Sequence, residues 1–245
     1  MTKKRIDELL LMRELSADIA EARARIMAGE VIVGDHRIDK PSIVFDQNVR
    51  IRIRGRKRHS FVSRGGLKLQ GALNAFNLNV SGFVALDLGA STGGFTDCLL
   101  QAGVKKVFSV DVGYNLLDWS LRADPRVVCL ERQHAGRLTR AEVPEAIDIL
   151  VADLSFNSVA RILPSVMEFL ASNAYLVVLI KPQFEAPKEA VGPGGIVTDP
   201  AIHRTVCDDV IRAVKTLGCR VIGIAPSPIK GTRGNQEFLL AARLG

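Results

Sequence analysis

The sequence predicts an α/β chain in which a mostly parallel sheet carries one antiparallel strand and follows a small α+β domain. Three observations predict it. From residue 83 onward, short and almost wholly apolar runs alternate with segments of helical periodicity, the pattern of a parallel sheet buried on both faces. The last run is joined to its predecessor by a loop too short for a helical crossover, so it turns back antiparallel. The charge is also divided. Residues 1–68 hold 16 Lys and Arg against 9 Asp and Glu, the whole net charge of +7, while 17 of each cancel from residue 69 on. A basic N-terminal quarter is expected where that part docks on a polyanion.

Residues 5–12 read as a short helix with Ile6, Leu9 and Leu10 inward. Ser16 is the expected N-cap of a second helix in which Ile19, Ala20, Arg23, Ile26 and Met27 share helical spacing, and Gly29 is its stop. Residues 31–33, a Gly34-Asp35 turn and Arg37-Ile38 suggest a hairpin. In 49–54 apolar and cationic residues alternate, so a strand there turns Val49, Ile51 and Ile53 to the core and Arg50, Arg52 and Arg54 outward. Two helices followed by short strands, with arginines on both, resemble the S4 RNA-binding module. The matching stretches are 5–10, 16–22, 26–33 and 39–41. With Phe45 the only aromatic before residue 55, phosphate and shape contacts to structured RNA are expected rather than base stacking. Residues 55–63, holding Arg56, Lys57 and Arg58, read as a basic linker. The expected division is therefore 1–54, 55–63 and 64–245.

In the larger domain the expected strands are 83–88, 106–111, 126–130, 147–152, 174–180 and 220–225, with a final strand at 237–241. Helical segments fall at 96–102, 115–121, 159–170 and 202–217. Ligands of such sheets bind beyond the carboxyl ends of the strands, where Asp87, Asp111, Asp153 and Lys181 stand. An antiparallel last strand brings its first residue, Glu237, to the same edge. The turn 87–96 is not the G-x-G-x-x-G of a dinucleotide site, yet Gly89, Gly93 and Gly94 let a ligand approach the backbone. Asp111 is placed to accept both ribose hydroxyls of an adenosine, a role a nicotinamide cofactor would share.

Several classes are disfavoured. The longest apolar run, 174–180, is too short for a bilayer and ends on Lys181. The first residues, Met1-Thr2-Lys3-Lys4-Arg5, are followed by Asp7 and Glu8 and make no signal peptide. A cytoplasmic protein with no membrane partner is expected. Cys98, Cys129, Cys207 and Cys219 form no C-x-x-C pair, so no metal is expected. The sequence sets no oligomeric state.

Six ordered motifs carry a resemblance that runs nearly end to end: 63–69 (SRGGLKL), the 87–96 turn, 110–114 (VDVGY), 152–156 (ADLSF), 180–185 (IKPQFE) and 234–239 (GNQEFL). Together they look like the TlyA family, the so-called hemolysin A proteins, which join an S4 domain to a methyltransferase domain of the FtsJ type with a Rossmann-like sheet. The resemblance implies S-adenosylmethionine as cofactor and a cytidine ribose 2′-hydroxyl of ribosomal RNA, free or in ribosomal subunits, as substrate. It implies a catalytic tetrad of Lys68, Asp153, Lys181 and Glu237. The expected cofactor contacts are Asp87, Gly89, Ala90, Ser91, Gly93, Gly94, Phe95, Asp111, Val112, His134 and Asp153. His134 departs from the family, which usually has Asn there. Expected RNA contacts are Arg5, Arg23, Arg50, Arg52, Arg54, Arg56, Lys57, Arg58, Arg64, Lys230 and Arg233. Lys181 is the expected base, neutralised by burial and by the Lys68 cation, and the Pro- and Gly-rich stretch 182–200 an expected lid. A non-catalytic RNA-binding factor and a membrane-lytic protein are the alternatives.

Overall fold

The computed structural model describes residues 3–53, 60–155, 158–231 and 233–245. The chain divides into two compact units, Met1–His59 and Ser60–Gly245.

The first unit runs β1 (Lys3–Arg5), α1 (Ile6–Met12), α2 (Ile19–Met27), β2 (Val31–Val33), β3 (His36–Ile38), β4 (Val44–Asp46) and β5 (Ile51–Ile53). β1 pairs antiparallel with β4, and β2 lies between β3 and β5 in a second antiparallel sheet. Ile6, Leu10, Ala22, Ile26, Val31, Val33 and Ile38 form its core. The N-cap of α2 is Asp18, whose carboxylate accepts the Glu21 N–H, and not Ser16. The Ser16 hydroxyl is instead buried with no hydrogen-bond partner among the described residues. Gly29 ends the helix at φ +65°, and a Cβ there would stand 1.7 Å from the Arg37 guanidinium. Of the expected strand 49–54, residues 51–53 pair; Arg50 and Arg52 are exposed and Ile51 and Ile53 packed inward, while Arg54 lies outside the described residues.

The second unit begins with an element the sequence did not announce, α3 (Gly65–Ala75). It opens on two glycines, poor helix formers, and exists because of what it packs on. A Cβ at Gly66 would fall 2.3 Å from Phe61, and one at Gly94 would fall 2.8 Å from the Gly66 nitrogen. The glycines thus let α3 close onto its neighbours. Residues 60–63, expected in the linker, belong to this unit: Phe61 is buried and the Val62 N–H donates to Asp97 Oδ2 at 2.7 Å. The rest of the expected linker lies outside the described residues.

β6 (Val84–Leu88), α4 (Gly94–Gln101), β7 (Lys106–Asp111), α5 (Trp119–Arg122), β8 (Val127–Glu131), β9 (Ile147–Ala152), α6 (Val159–Ile162), β10 (Leu170–Ile180), α7 (Pro182–Glu185), α8 (Pro200–Thr216), β11 (Cys219–Pro226) and β12 (Phe238–Leu244) follow. They build one seven-stranded sheet in the order β11-β12-β10-β9-β6-β7-β8, with β12 antiparallel to both neighbours. Alternate strand residues face opposite cores. Leu86, Leu150, Val178 and Leu240 meet Val206 and Val210 of α8, whereas Ala85, Val151, Val177 and Leu239 meet Leu69 of α3 and Leu99 of α4.

Two expected helices are shorter than their periodicity. The expected 159–170 helix breaks after Ile162 into a 3-10 stretch, Leu163–Phe169, because Pro164 has no N–H to continue the α pattern. The expected 115–121 helix starts only at Trp119, after Asn115 adopts φ +57° and Asp118 caps the turn. The cap assignment in α2 is testable. Asp18→Ala should cost about 1 kcal/mol, whereas Ser16→Ala should be close to neutral, both read from urea midpoints of the full chain.

Candidate active site

Parallel strands deliver their last residues to one edge of the sheet. Asp153 and Lys181 stand just beyond β9 and β10, and Glu237 stands just before β12, whose first residue Phe238 pairs with Ile180. Lys68, in the first turn of α3, reaches the same place. The four make one chain of alternating charge. Lys181 Nζ lies 2.5 Å from Asp153 Oδ1, Lys68 Nζ lies 3.9 Å from Asp153 Oδ2, and Lys68 Nζ lies 2.8 Å from Glu237 Oε2.

Both lysines and Glu237 are buried, and Asp153 is partly open. Two cations facing two anions at this depth hold one another, since removing any one leaves its partner's charge uncompensated. Burial pushes the Asp153 carboxyl up, but the Lys181 and Lys68 ammoniums outweigh it and hold it below its ordinary value. Glu237 goes the other way, because burial outweighs its Lys68 partner and leaves the carboxyl raised. A Cβ on Gly231 would stand 2.4 Å from Glu237 Oε1, so backbone seals this end. At the open end the Lys181 ammonium also donates to Ser155 Oγ at 2.9 Å.

A cavity of about 240 Å³ adjoins the tetrad at Asp153. Gly89, Ser91, Asp111, Val112, His134 and Asp153, all expected at the cofactor, line it. Gly89 has φ +80°, and a Cβ there would sit 2.5 Å from the Asp153 carbonyl oxygen. The Asp111 carboxylate is fixed by the Ser91 and Gly113 N–H groups at 2.8 and 2.7 Å. Each of its oxygens keeps a lone pair for a further donor, such as a ribose hydroxyl. His134 uses Nδ1 to accept the Gly136 N–H and presents its ring to the cavity. A glycine-cradled cleft with an anchored carboxylate fits a nucleoside-bearing cofactor.

The other expected cofactor residues belong to the same 87–96 turn but are turned into the protein interior. Ala90, Gly93, Gly94 and Phe95 are buried and do not line the cavity, Phe95 packing in the core with α3. Asp87 is sealed, accepting from Thr96 Oγ1 at 2.6 Å, and Thr96 Oγ1 also meets Ser109 Oγ at 2.7 Å. Burial pushes its carboxyl up to about 7, against the Thr96 hydrogen bond and with the Asp153 and Asp111 charges adding to the rise. Conversely, Ser155, Leu116, Gln133 and Ile162 line the cavity without having been singled out. Ser155 was within reach, standing two residues after Asp153 in a stretch already singled out.

Of the expected RNA contacts, Arg5 and Arg23 both pair with the buried Asp7. Arg64 donates to the Lys230 carbonyl at 2.7 Å, and Lys230 and Arg233 are exposed. Arg56, Lys57 and Arg58 lie outside the described residues. The expected lid is ordered into α7 and two 3-10 turns. Asn235, two residues before Glu237, pins it by accepting the Val197 N–H at 2.9 Å and donating to the Gly195 carbonyl at 2.8 Å. A larger cavity of about 450 Å³ between α8 and β11 holds none of the tetrad. Among the described residues no group of acids, histidines and cysteines is arranged for a metal, and no helix is long and apolar enough to cross a membrane.

Asp87 offers a pH test. Its folded value is raised above the unfolded 3.8, so its contribution to stability is complete below that value and is lost as pH rises through about 7. Between pH 5 and pH 8 the wild type should lose about 3 kcal/mol relative to Asp87→Asn. Parallel stability curves would show an ordinary carboxyl there.

Residues 61–244 match the family model described as FtsJ-like methyltransferase. The chain is 42% identical over 241 residues, 98% of its length and 90% of the relative's, to the 16S/23S rRNA (cytidine-2′-O)-methyltransferase TlyA of Mycobacterium tuberculosis strain H37Rv. It is 36% identical over 244 residues, 96% of this chain and 98% of the relative, to Hemolysin A of Brachyspira hyodysenteriae. A solved structure from Streptococcus thermophilus superposes with a TM-score of 0.82 at 39% identity, covering all of this chain and 89% of the other. An S-adenosylmethionine dependent methyltransferase from Mesorhizobium loti shares the fold at 18% identity, with a TM-score of 0.53 over 71% of this chain and 96% of that one. The chain belongs to the FtsJ-like methyltransferase family.

Proposed function

We propose that this methyltransferase moves a methyl group from S-adenosylmethionine to the 2′-hydroxyl of a cytidine ribose in ribosomal RNA. The observation that supports it most is the tetrad itself. A base, an orienting acid and a buried counter-pair adjoin, at Asp153, a cavity suited to an adenosine. The relatives named for cytidine 2′-O-methylation of 16S and 23S rRNA support the substrate.

The cofactor supplies an electrophilic methyl, so what the chain must add is alignment and a place for the hydroxyl proton. Lys181 is that place. Paired as an ammonium with Asp153, Lys181 must first release one proton to solvent; the neutral amine then has two N–H bonds and one lone pair beside its Cε. With its N–H groups on Asp153 and Ser155, the lone pair is left pointing to the third position, where a ribose hydroxyl enters. Lys68 and Glu237 hold Asp153 from behind, so the orienting carboxylate cannot swing away when Lys181 changes charge. We read Arg50 and Arg52 in the first unit, and Arg64, Lys230 and Arg233 in the second, as backbone contacts to RNA. The linker cations and Arg54 complete that reading. Arg5 and Arg23 share in it through the charge left over after Asp7 is paired. The segment 182–200 would cover the substrate nucleotide, and a cytoplasmic location goes with a ribosomal substrate.

Lys181→Ala should lower methyl transfer by about 10²–10⁴ while leaving RNA affinity near wild type. The measurement is labelled methyl transfer to ribosomal subunits that lack their native modifications. Equal labelling by both proteins would remove Lys181 from the mechanism, and no labelling by wild type would remove the reaction. For the charged face, Arg50→Ala with Arg52→Ala should flatten the plot of log affinity against log salt by about 0.7–0.9 for each phosphate no longer neutralised. An unchanged slope would free these arginines from any RNA role.

A further inference from the structure

Beside the cavity the chain exposes what a folded domain ordinarily hides. Five large apolar side chains of the second unit are exposed among its described residues, and three of them, Val112, Tyr114 and Trp119, come from one eight-residue segment. Val112 and Trp119 are each 69% exposed. The segment forms the rim of the cavity, since Val112 and Leu116 line it and the Asp118 N–H donates to the Thr92 carbonyl, next to Ser91.

This rim is exposed yet firmly held. The half-buried Glu131 carboxylate accepts the Leu116 N–H at 3.0 Å and the Arg122 guanidinium at 2.6 Å. Leu117 and Leu121 are buried against Gly93, where a Cβ would stand 2.8 and 2.2 Å from them. Ser91, Asn115 and Arg132 all take left-handed backbone conformations, half of the six non-glycine residues that do so among those described. The left-handed Arg132 donates its N–H to the Gly113 carbonyl, and its guanidinium lies 4.0 Å from the centre of the Tyr114 ring. Such conformations cost energy and persist where the surrounding structure over-determines them. Anchors of this number hold the backbone that turns Tyr114 and Trp119 to solvent.

We infer that Tyr114, backed by Arg132, and Trp119 form a stacking rim for unpaired RNA bases flanking the target nucleotide. The inference rests on the reading of the cavity and tetrad as an RNA methyltransferase site, and adds where the strand lies. Preorganised aromatic faces with a guanidinium plane are the chemistry that single-stranded nucleic acid selects, because every base has a π face. The rim's Val112 and Leu116 line the cavity that meets the tetrad at Asp153, and the inference places the bases next to a ribose at Lys181 along that side.

Trp119 is the chain's one tryptophan, so its fluorescence reports on this rim alone. Adding a short unstructured RNA to wild type should quench it saturably, and a duplex of the same length should not. Trp119→Ala should raise the KM for methylation of ribosomal RNA about tenfold, the effect of one stacked base, with kcat and cofactor affinity unchanged. Trp119→Phe should recover most of the loss. Tyr114→Ala should repeat the KM effect while keeping the tryptophan signal, and melting curves should show both variants folded.

Three results would overturn the rim. The first is methylation with a wild-type KM by Trp119→Ala, and the second is weakened cofactor affinity with an unchanged RNA KM. The third is a defect confined to assembled subunits and absent on protein-free RNA, which would make the partner a protein. Quenching by single-stranded RNA from a wild-type protein that methylates none would keep the rim and overturn the methyl-transfer reading.

Discussion

The ion pair between Lys68 and Glu237, 2.8 Å long and nearly sealed from water, is the constraint around which the larger unit is arranged. Two opposite charges taken out of water are tolerable only if each has its partner in place and the remaining polar capacity is met nearby. Lys68 satisfies this by reaching Asp153 as well, and Asp153 in turn reaches Lys181. The four groups therefore stand or fall as one network. For the pair to form, α3 must lie against the sheet edge and β12 must enter that edge from its own first residue. The antiparallel insertion of β12 between β10 and β11 is what makes the second possible. A parallel last strand would have put Glu237 at the far end of the sheet.

Close approach of backbone is the second recurring device. Gly66 and Gly94 let α3 settle against Phe61 and the start of α4, which fixes where Lys68 points. Gly89 lets the turn after β6 pass the Asp153 carbonyl, and Gly231 lets backbone cover the Glu237 carboxylate. In each case a side chain would occupy space that a charged group or a cavity needs. The glycines thus position the chemistry without taking part in it, and substitutions at them would be felt at the tetrad rather than locally.

Polar burial is graded across the edge. Asp87 lies deepest, bonded to Thr96, with a carboxyl raised to about 7 by burial. Asp111 stands at the cavity, held by two backbone N–H groups and still able to accept more. Asp153 lies between two ammoniums and stays ionised. Three carboxyls from three neighbouring strands thus have three different environments, set by how far each strand end projects and by what covers it. Beyond them, the segment 112–119 turns apolar and aromatic groups outward on a clamped frame, so order at this edge extends past the charged network.

The local chemistry of the sequence determined much of this. Apolar runs placed the strands to within a few residues, loop length made β12 antiparallel, and strand ends brought Asp153, Lys181 and Glu237 together. Those features are legible because they depend on period and length, which any window of sequence carries. What the tertiary structure alone decided has a different origin. The helix α3 begins on Gly65-Gly66 and is stabilised by contacts with Phe61 and Gly94, which no local propensity reports. Asp18 rather than Ser16 caps α2 because Ser16 is drawn into the interior. Asp87 turns under the glycine-rich turn while Ser155, unremarkable in sequence, meets Lys181. Which way a strand-end side chain faces depends on what packs above it, and that is settled only when distant segments meet.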